Sequence, residues 1–211
     1  MLLHIMYSIE FYKKYLQYLK PLLPVMVFLS LACDNPFAIR KAEEPKSPSS
    51  SWILPDSHNS VLINLRNAIK EKNTDNFMAC LVDPDHSDEK YVFVPDPEIL
   101  ASHPDVFLDW GREKEEVAIK QAFFHVPNDS SASLEFYEDI KEIITADSAV
   151  TVKQYRLVLQ NTLEGLPSIY EGQVEFRFKE DQRGWWIIYY WRDSSISDFE
   201  PWTFLKASLG I

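Results

Sequence analysis

The sequence predicts an α+β domain in which helices come first and long strands follow. Between residues 59 and 124, apolar side chains recur at i, i+3, i+4 and i+7, the spacing of one helix face. From residue 133 the period changes to two, in four strand-length segments separated by turn signals. Helices followed by a run of antiparallel strands is the α+β order. With 46% hydrophobic and 14% aromatic residues, the chain has material for a real core.

The chain opens with Lys13, Lys14 and Lys20 ahead of an apolar run over residues 21–32 that ends in Ala32 and Cys33. A basic region, a short apolar stretch and a small residue make a secretory signal peptide, residues 1–32, starting from Met1 or Met6. A membrane-spanning helix needs roughly 20 apolar residues, and this run is closed by Lys20 and Asp34. The segment Leu29-Ser30-Leu31-Ala32-Cys33 resembles the bacterial lipobox. That resemblance implies cleavage between Ala32 and Cys33 and acylation of Cys33, palmitate included. Two or three chains at about 0.8 kcal/mol per buried CH2 make a durable anchor. The expected location is the bacterial cell envelope, facing the periplasm or the exterior, with the lipid bilayer as a partner through Cys33. Which membrane stays open. Asp34 resembles an inner-membrane retention signal of some enteric bacteria.

Residues 33–55 form a disordered tether, rich in Pro, Ser and charge and without periodicity. A coil of that length spans on the order of 25 Å. The domain then occupies residues 56–211. The first helix starts at Asn59 or Ser60, either a good cap, and carries Val61, Leu62, Leu65, Ala68 and Ile69 on one face. Asn73 ends it in the left-handed conformation. Thr74 caps a short second helix with Phe77, Cys80 and Leu81 on one face, which the Asp83-Pro84 step stops. Tyr91–Val94 is a short strand, and residues 95–110 are a connection punctuated by Pro and Asp. The third helix is Arg112–Phe124, with Glu113, Glu115 and Glu116 at its positive end.

The strands follow at Ser133–Ile144, Val150–Thr162, Ile169–Lys179 and Trp185–Arg192. In the third, Tyr170, Gly172, Val174, Phe176 and Phe178 share one face, and charged residues line the other. The fourth is apolar on both faces, which places it centrally or under a partner. Pro201 opens a terminal helix over Trp202–Leu209.

Residues 64–84, the helix start at 110–116, the aromatic strand at 184–193 and the segment 201–207 together resemble the nuclear-transport-factor-two-like (SnoaL-like) superfamily, in particular its bacterial lipoprotein members. The resemblance covers about residues 58–209. It implies a cone: a curved antiparallel sheet wrapped around three N-terminal helices, with a short C-terminal helix and an apolar pocket at the wide end. The superfamily includes isomerases, dehydratases, cyclases and non-catalytic binding domains, so fold does not decide activity.

Charge narrows the partners. The net charge is −11, and the basic leader hides a stronger imbalance: 18 basic against 31 acidic residues follow residue 32. That excludes a nucleic-acid footprint. The histidines, His4, His58, His86, His103 and His125, form no i, i+2 or i, i+4 pair, so no helical zinc motif exists. The acidic stretch at 83–89 has Asp88 and Val94 where a calcium loop needs Gly and Glu. The five glycines are scattered, and no phosphate cradle forms. No metal and no cofactor is implied. Cys80 reads as a small core residue, and if Cys33 is acylated no disulfide exists. The pocket candidates are Tyr155, Tyr170, His125 and Asp193, whose protonation burial inside a cone would retune, and Trp110, an aromatic that could help build a ligand pocket. An aromatic stripe around Trp185 and Trp186 suggests a homodimer through the sheet. The leading reading is an anchored, non-catalytic domain that binds a small apolar ligand or a protein. The alternatives are an acid–base enzyme, or a dimeric scaffold with a collapsed pocket.

Overall fold

Helix α1 (His58–Glu71) is capped two to three residues before the expected Asn59 or Ser60. Ser57 takes that role: its side chain accepts from the Ser60 amide, and the Ser60 hydroxyl oxygen accepts from the Ser57 amide. This reciprocal box satisfies two helix-start donors at once. At the other end Lys72, not Asn73, takes the left-handed conformation, with φ 52°. Asn73 is thereby left to cap α2 (Thr74–Ala79) by accepting from the Asn76 amide at 3.0 Å. The coordinates, a computed structural model, describe residues 50–209. The expected signal peptide, Ala32, Cys33 and most of the expected tether lie outside the described residues.

Strand β1 (Val92–Val94) leads into α3 (Pro97–Ser102), a helical turn inside the segment expected to be a connection. Asp96 caps it, and Pro97 stands at its first position, where the missing N–H costs nothing. Helix α4 (Arg112–Phe124) has its expected bounds. Four long strands follow: β2 (Ala132–Ile144), β3 (Ser148–Leu159), β4 (Ile169–Glu180) and β5 (Trp186–Ser194). Helix α5 (Trp202–Ser208) closes the domain.

The sheet order is β1-β5-β4-β3-β2. The long strands are antiparallel, but β1 runs parallel to β5, so the sheet is mixed rather than wholly antiparallel. A parallel pair needs a long crossover, and residues 95–185, with α3, α4 and β2–β4, lie between these two strands. β5 is interior, as its two apolar faces predict. Its far edge is covered by β1 and by residues 80–82, which exchange backbone bonds with Ile188. Extra residues at Tyr137 and Ile140 on β2, and a register shift opposite Arg177 on β4, bend the sheet. The result is a curved, unclosed sheet whose inner face packs on α1, α2 and α5.

The alternation read from β4 is the observed one. Tyr170, Val174, Phe176 and Phe178 are buried, while Glu171, Glu175, Arg177 and Lys179 face out. The outer face carries ion pairs, Arg156 with Glu171 and Arg177 with Glu175, and Arg177 lies 4.2 Å over the Tyr190 ring. The expected aromatic stripe is divided. Trp191 goes into the core, Trp185 stacks on Arg183 at the turn, and Trp186 packs beside His58.

The domain begins earlier than residue 56. Ile53 exchanges two hydrogen bonds with the Asn64 side chain, Asn67 donates to the Ser51 carbonyl, and the Trp186 amide donates to Pro55. Cys80 is buried as expected, donating toward the Val61 and Asn76 carbonyls, and burial pushes its thiol pKa up. No helix among the described residues is long and apolar enough to cross a membrane.

Candidate functional site

Two of the five pocket candidates meet. Tyr155 stands on the inner face of β3 and reaches across Gly172 of β4 to Asp193 on β5. Its hydroxyl donates to Asp193 Oδ1 at 2.8 Å. The same hydroxyl accepts from the Trp202 amide at 2.6 Å. Asp193 Oδ2 accepts from the Thr203 amide at 2.6 Å and from the Thr203 hydroxyl at 2.7 Å. Tyr155 and Asp193 therefore hold the first amides of α5, donors that the helix itself leaves unsatisfied. Thr203 extends the network by accepting from the Asp96 amide, and Asp96 accepts twice from Ser195.

Burial dominates the electrostatics here. It pushes the Asp193 carboxyl above its ordinary value, against the lowering effect of the bonds from Thr203 and Tyr155 and of the Lys206 charge. Burial and the neighbouring Asp193 carboxylate push the Tyr155 phenol well up.

Trp110 belongs to a second cluster. Its indole N–H donates to Glu115 Oε2 at 2.8 Å. Lys206 Nζ donates to the same oxygen at 2.8 Å, and the Tyr91 hydroxyl at 3.0 Å. Glu115 and Lys206 are both 1% exposed. Lys206 Nζ also sits 3.5 Å from the Phe93 ring centroid and 4.0 Å from that of Trp191. Burial pushes the Lys206 amine below its ordinary value, while Glu115 and then Asp193 pull it back.

The other two candidates stand apart. Tyr170 is fully buried on β4, its hydroxyl has no hydrogen-bond partner among the described residues, and burial pushes its phenol up. His125 ends α4 half-buried; its ring lies edge-on to Phe124 and its carbonyl accepts from Thr162. Between these groups the interior is aromatic. Trp202 meets Trp191 edge-on at 4.7 Å, Phe77 lies beside both, and Phe176 lies 5.0 Å from Trp191. Among the described residues no group of three or more His, Cys, Asp or Glu is placed to hold a metal ion.

No family model matches the sequence, and no curated protein matches it. Solved structures do match the fold. A protein described as an aromatic ring hydroxylase from Novosphingobium aromaticivorans aligns with TM-score 0.50 at 11% identity, over 70% of this chain and 92% of that one. An NTF-2 like protein of unknown function from Shewanella oneidensis aligns with TM-score 0.45 at 12% identity, over 65% and 95%. The chain is similar in fold to this nuclear-transport-factor-two-like protein. A ketosteroid isomerase-like protein from Erwinia carotovora aligns with TM-score 0.44 at 16% identity, over 66% and 93%. At such identities the likeness concerns fold alone.

Within this curved-sheet domain, a general base would need a lone pair that a substrate proton can reach. Asp193 is fully buried, and its two oxygens accept three bonds, one from Tyr155 and two from Thr203, so the arrangement anchors a helix. Sequence reasoning passed over Glu115, Lys206 and Thr203. Glu115 looked like a helix-start charge. The available signal was Lys206 itself, a lone cation in the apolar segment Trp202–Ala207.

Proposed function

We propose that this protein is an envelope lipoprotein, held to a bacterial membrane through acylated Cys33, and that its cone domain is a non-catalytic binding module. The observation that carries the second half is the use of Tyr155 and Asp193. The two groups best equipped for acid–base chemistry cap α5 with every oxygen engaged. The leader pattern ending at Cys33 supports the first half. Trp191, Trp202, Phe77 and Phe176 pack against one another in the interior, which favours a protein partner met on the outer surface over a small apolar ligand held inside. A second copy meeting the charged outer face of β3–β5 is one such partner.

Two measurements test the reading. Metabolic labelling with a palmitate analogue is expected to mark the wild type and not Cys33→Ala; equal labelling of both ends the tether. Asp193→Asn is expected to lower the melting temperature by several degrees, because an NH2 replaces one of the two oxygens that three buried donors face. An unchanged melting temperature overturns the helix-cap role of Asp193, on which the non-catalytic reading rests.

A further inference from the structure

Glu115 and the rings around Lys206 have the chemistry of an ammonium receptor. A cation over an aromatic face is attracted by the ring quadrupole, and the attraction grows when water is excluded. Here Phe93 and Trp191 approach Nζ to 3.5 and 4.0 Å, Trp110 and Trp202 stand at 5.7 and 6.0 Å, and one carboxylate oxygen takes an N–H at 2.8 Å. That oxygen is oriented from two further sides by the Trp110 indole and the Tyr91 hydroxyl. All of these groups except Trp202 stand on elements other than α5, so most of the receptor is separate from the helix that fills it. The short ring distances also define the guest. They suit a bare –NH3+ and leave no room for methyl groups on nitrogen.

We propose that Phe93, Trp110, Trp191, Trp202 and Glu115 form a binding site for a primary alkylammonium group, and that Lys206 is its tethered occupant. The α5 helix is then an internal competitor for any amine. This goes beyond the anchored binding module, because it assigns a ligand class to a site inside the cone.

The test uses the full chain with Lys206→Ala, whose missing atoms correspond to propylammonium. Millimolar propylammonium is expected to raise the melting temperature of this variant saturably, by about 5 °C. Propanol and trimethylpropylammonium are expected to leave it unchanged, and the wild type is expected to ignore all three. Adding Glu115→Gln to the variant is expected to abolish the rise. No rise with propylammonium, or an equal rise with propanol, overturns the proposal. If Lys206→Ala does not fold in buffer, refolding it with each compound gives the answer. Recovery with propylammonium alone supports the site, and recovery with none or with all overturns it. Neither Cys33 nor Asp193 is altered, so failure here leaves the tether and the helix cap standing.

Discussion

Gly172 lies directly under Tyr155: a Cβ at Gly172 would fall 2.7 Å from the Tyr155 hydroxyl oxygen and 2.8 Å from the Ser194 carbonyl oxygen. The absent side chain is what lets the Tyr155 ring cross β4 and reach Asp193 on β5. One strand position thus decides whether the start of α5 is held.

Gly172→Ala is therefore expected to destabilise the domain by about 1–3 kcal/mol, the range for inserting a methyl into a packed interior. The backbone carbonyl of Ser194 cannot rotate away as a side chain would. Urea denaturation measures the loss. In a Tyr155→Ala background the same change is expected to cost less, and strict additivity would show that the ring is not the obstacle.

Tyr155→Phe keeps the ring and removes both hydroxyl bonds. The Trp202 amide and one Asp193 oxygen then lose their partner inside the protein, at about 1–3 kcal/mol. Hydrogen exchange at the Trp202 and Thr203 amides is expected to accelerate more than exchange in α1. Uniform acceleration would place the defect in the whole core rather than at α5.

The pH dependence follows from Asp193. Burial raises its folded-state carboxyl above the unfolded value, near 3.8, despite the bonds it accepts. A group raised in this way binds its proton more tightly when folded. Its contribution is fully present below the unfolded value and is lost as pH rises through the folded one. Relative to Asp193→Asn, the wild type is expected to gain stability as pH falls from 7 toward 4. Paired urea melts across that range check the slope, and a gap that narrows on acidification contradicts it.

Lys206 and Glu115 form a buried pair, so removing one partner strands the other. Lys206→Met and Glu115→Gln are each expected to cost about 3–5 kcal/mol. The double variant is expected to lose clearly less than the sum, because no charge is then left alone. A double-mutant cycle by denaturation reads the coupling.

The change of period at residue 133 was legible because side chains alternate along any strand, whatever it packs on. The bounds of α4 and the buried face of β4 were legible for the same local reason. The caps were read one to three residues out at Ser57 and Asn73, since several neighbouring Ser and Asn residues can do the same work and only the path of the chain selects one. The turn of α3 was hidden in a short Pro-punctuated segment, although Asp96-Pro97 was its signal. The parallel pairing of β1 had no signal, because three residues carry no direction.

Composition, the basic and apolar pattern ahead of Cys33 and the order of helices and strands are properties of the sequence by itself, set by local periodicity and by charge. Tertiary structure alone decided what the buried polar residues do. Asp193 could have been an acid, and became a helix cap because β3 and β5 bring Tyr155 to it across a glycine. Glu115 and Lys206, 91 positions apart, became a pair because α5 folds back into the aromatic interior. Such partners are distant in sequence, and a buried charge has no fixed role until its neighbour is in place.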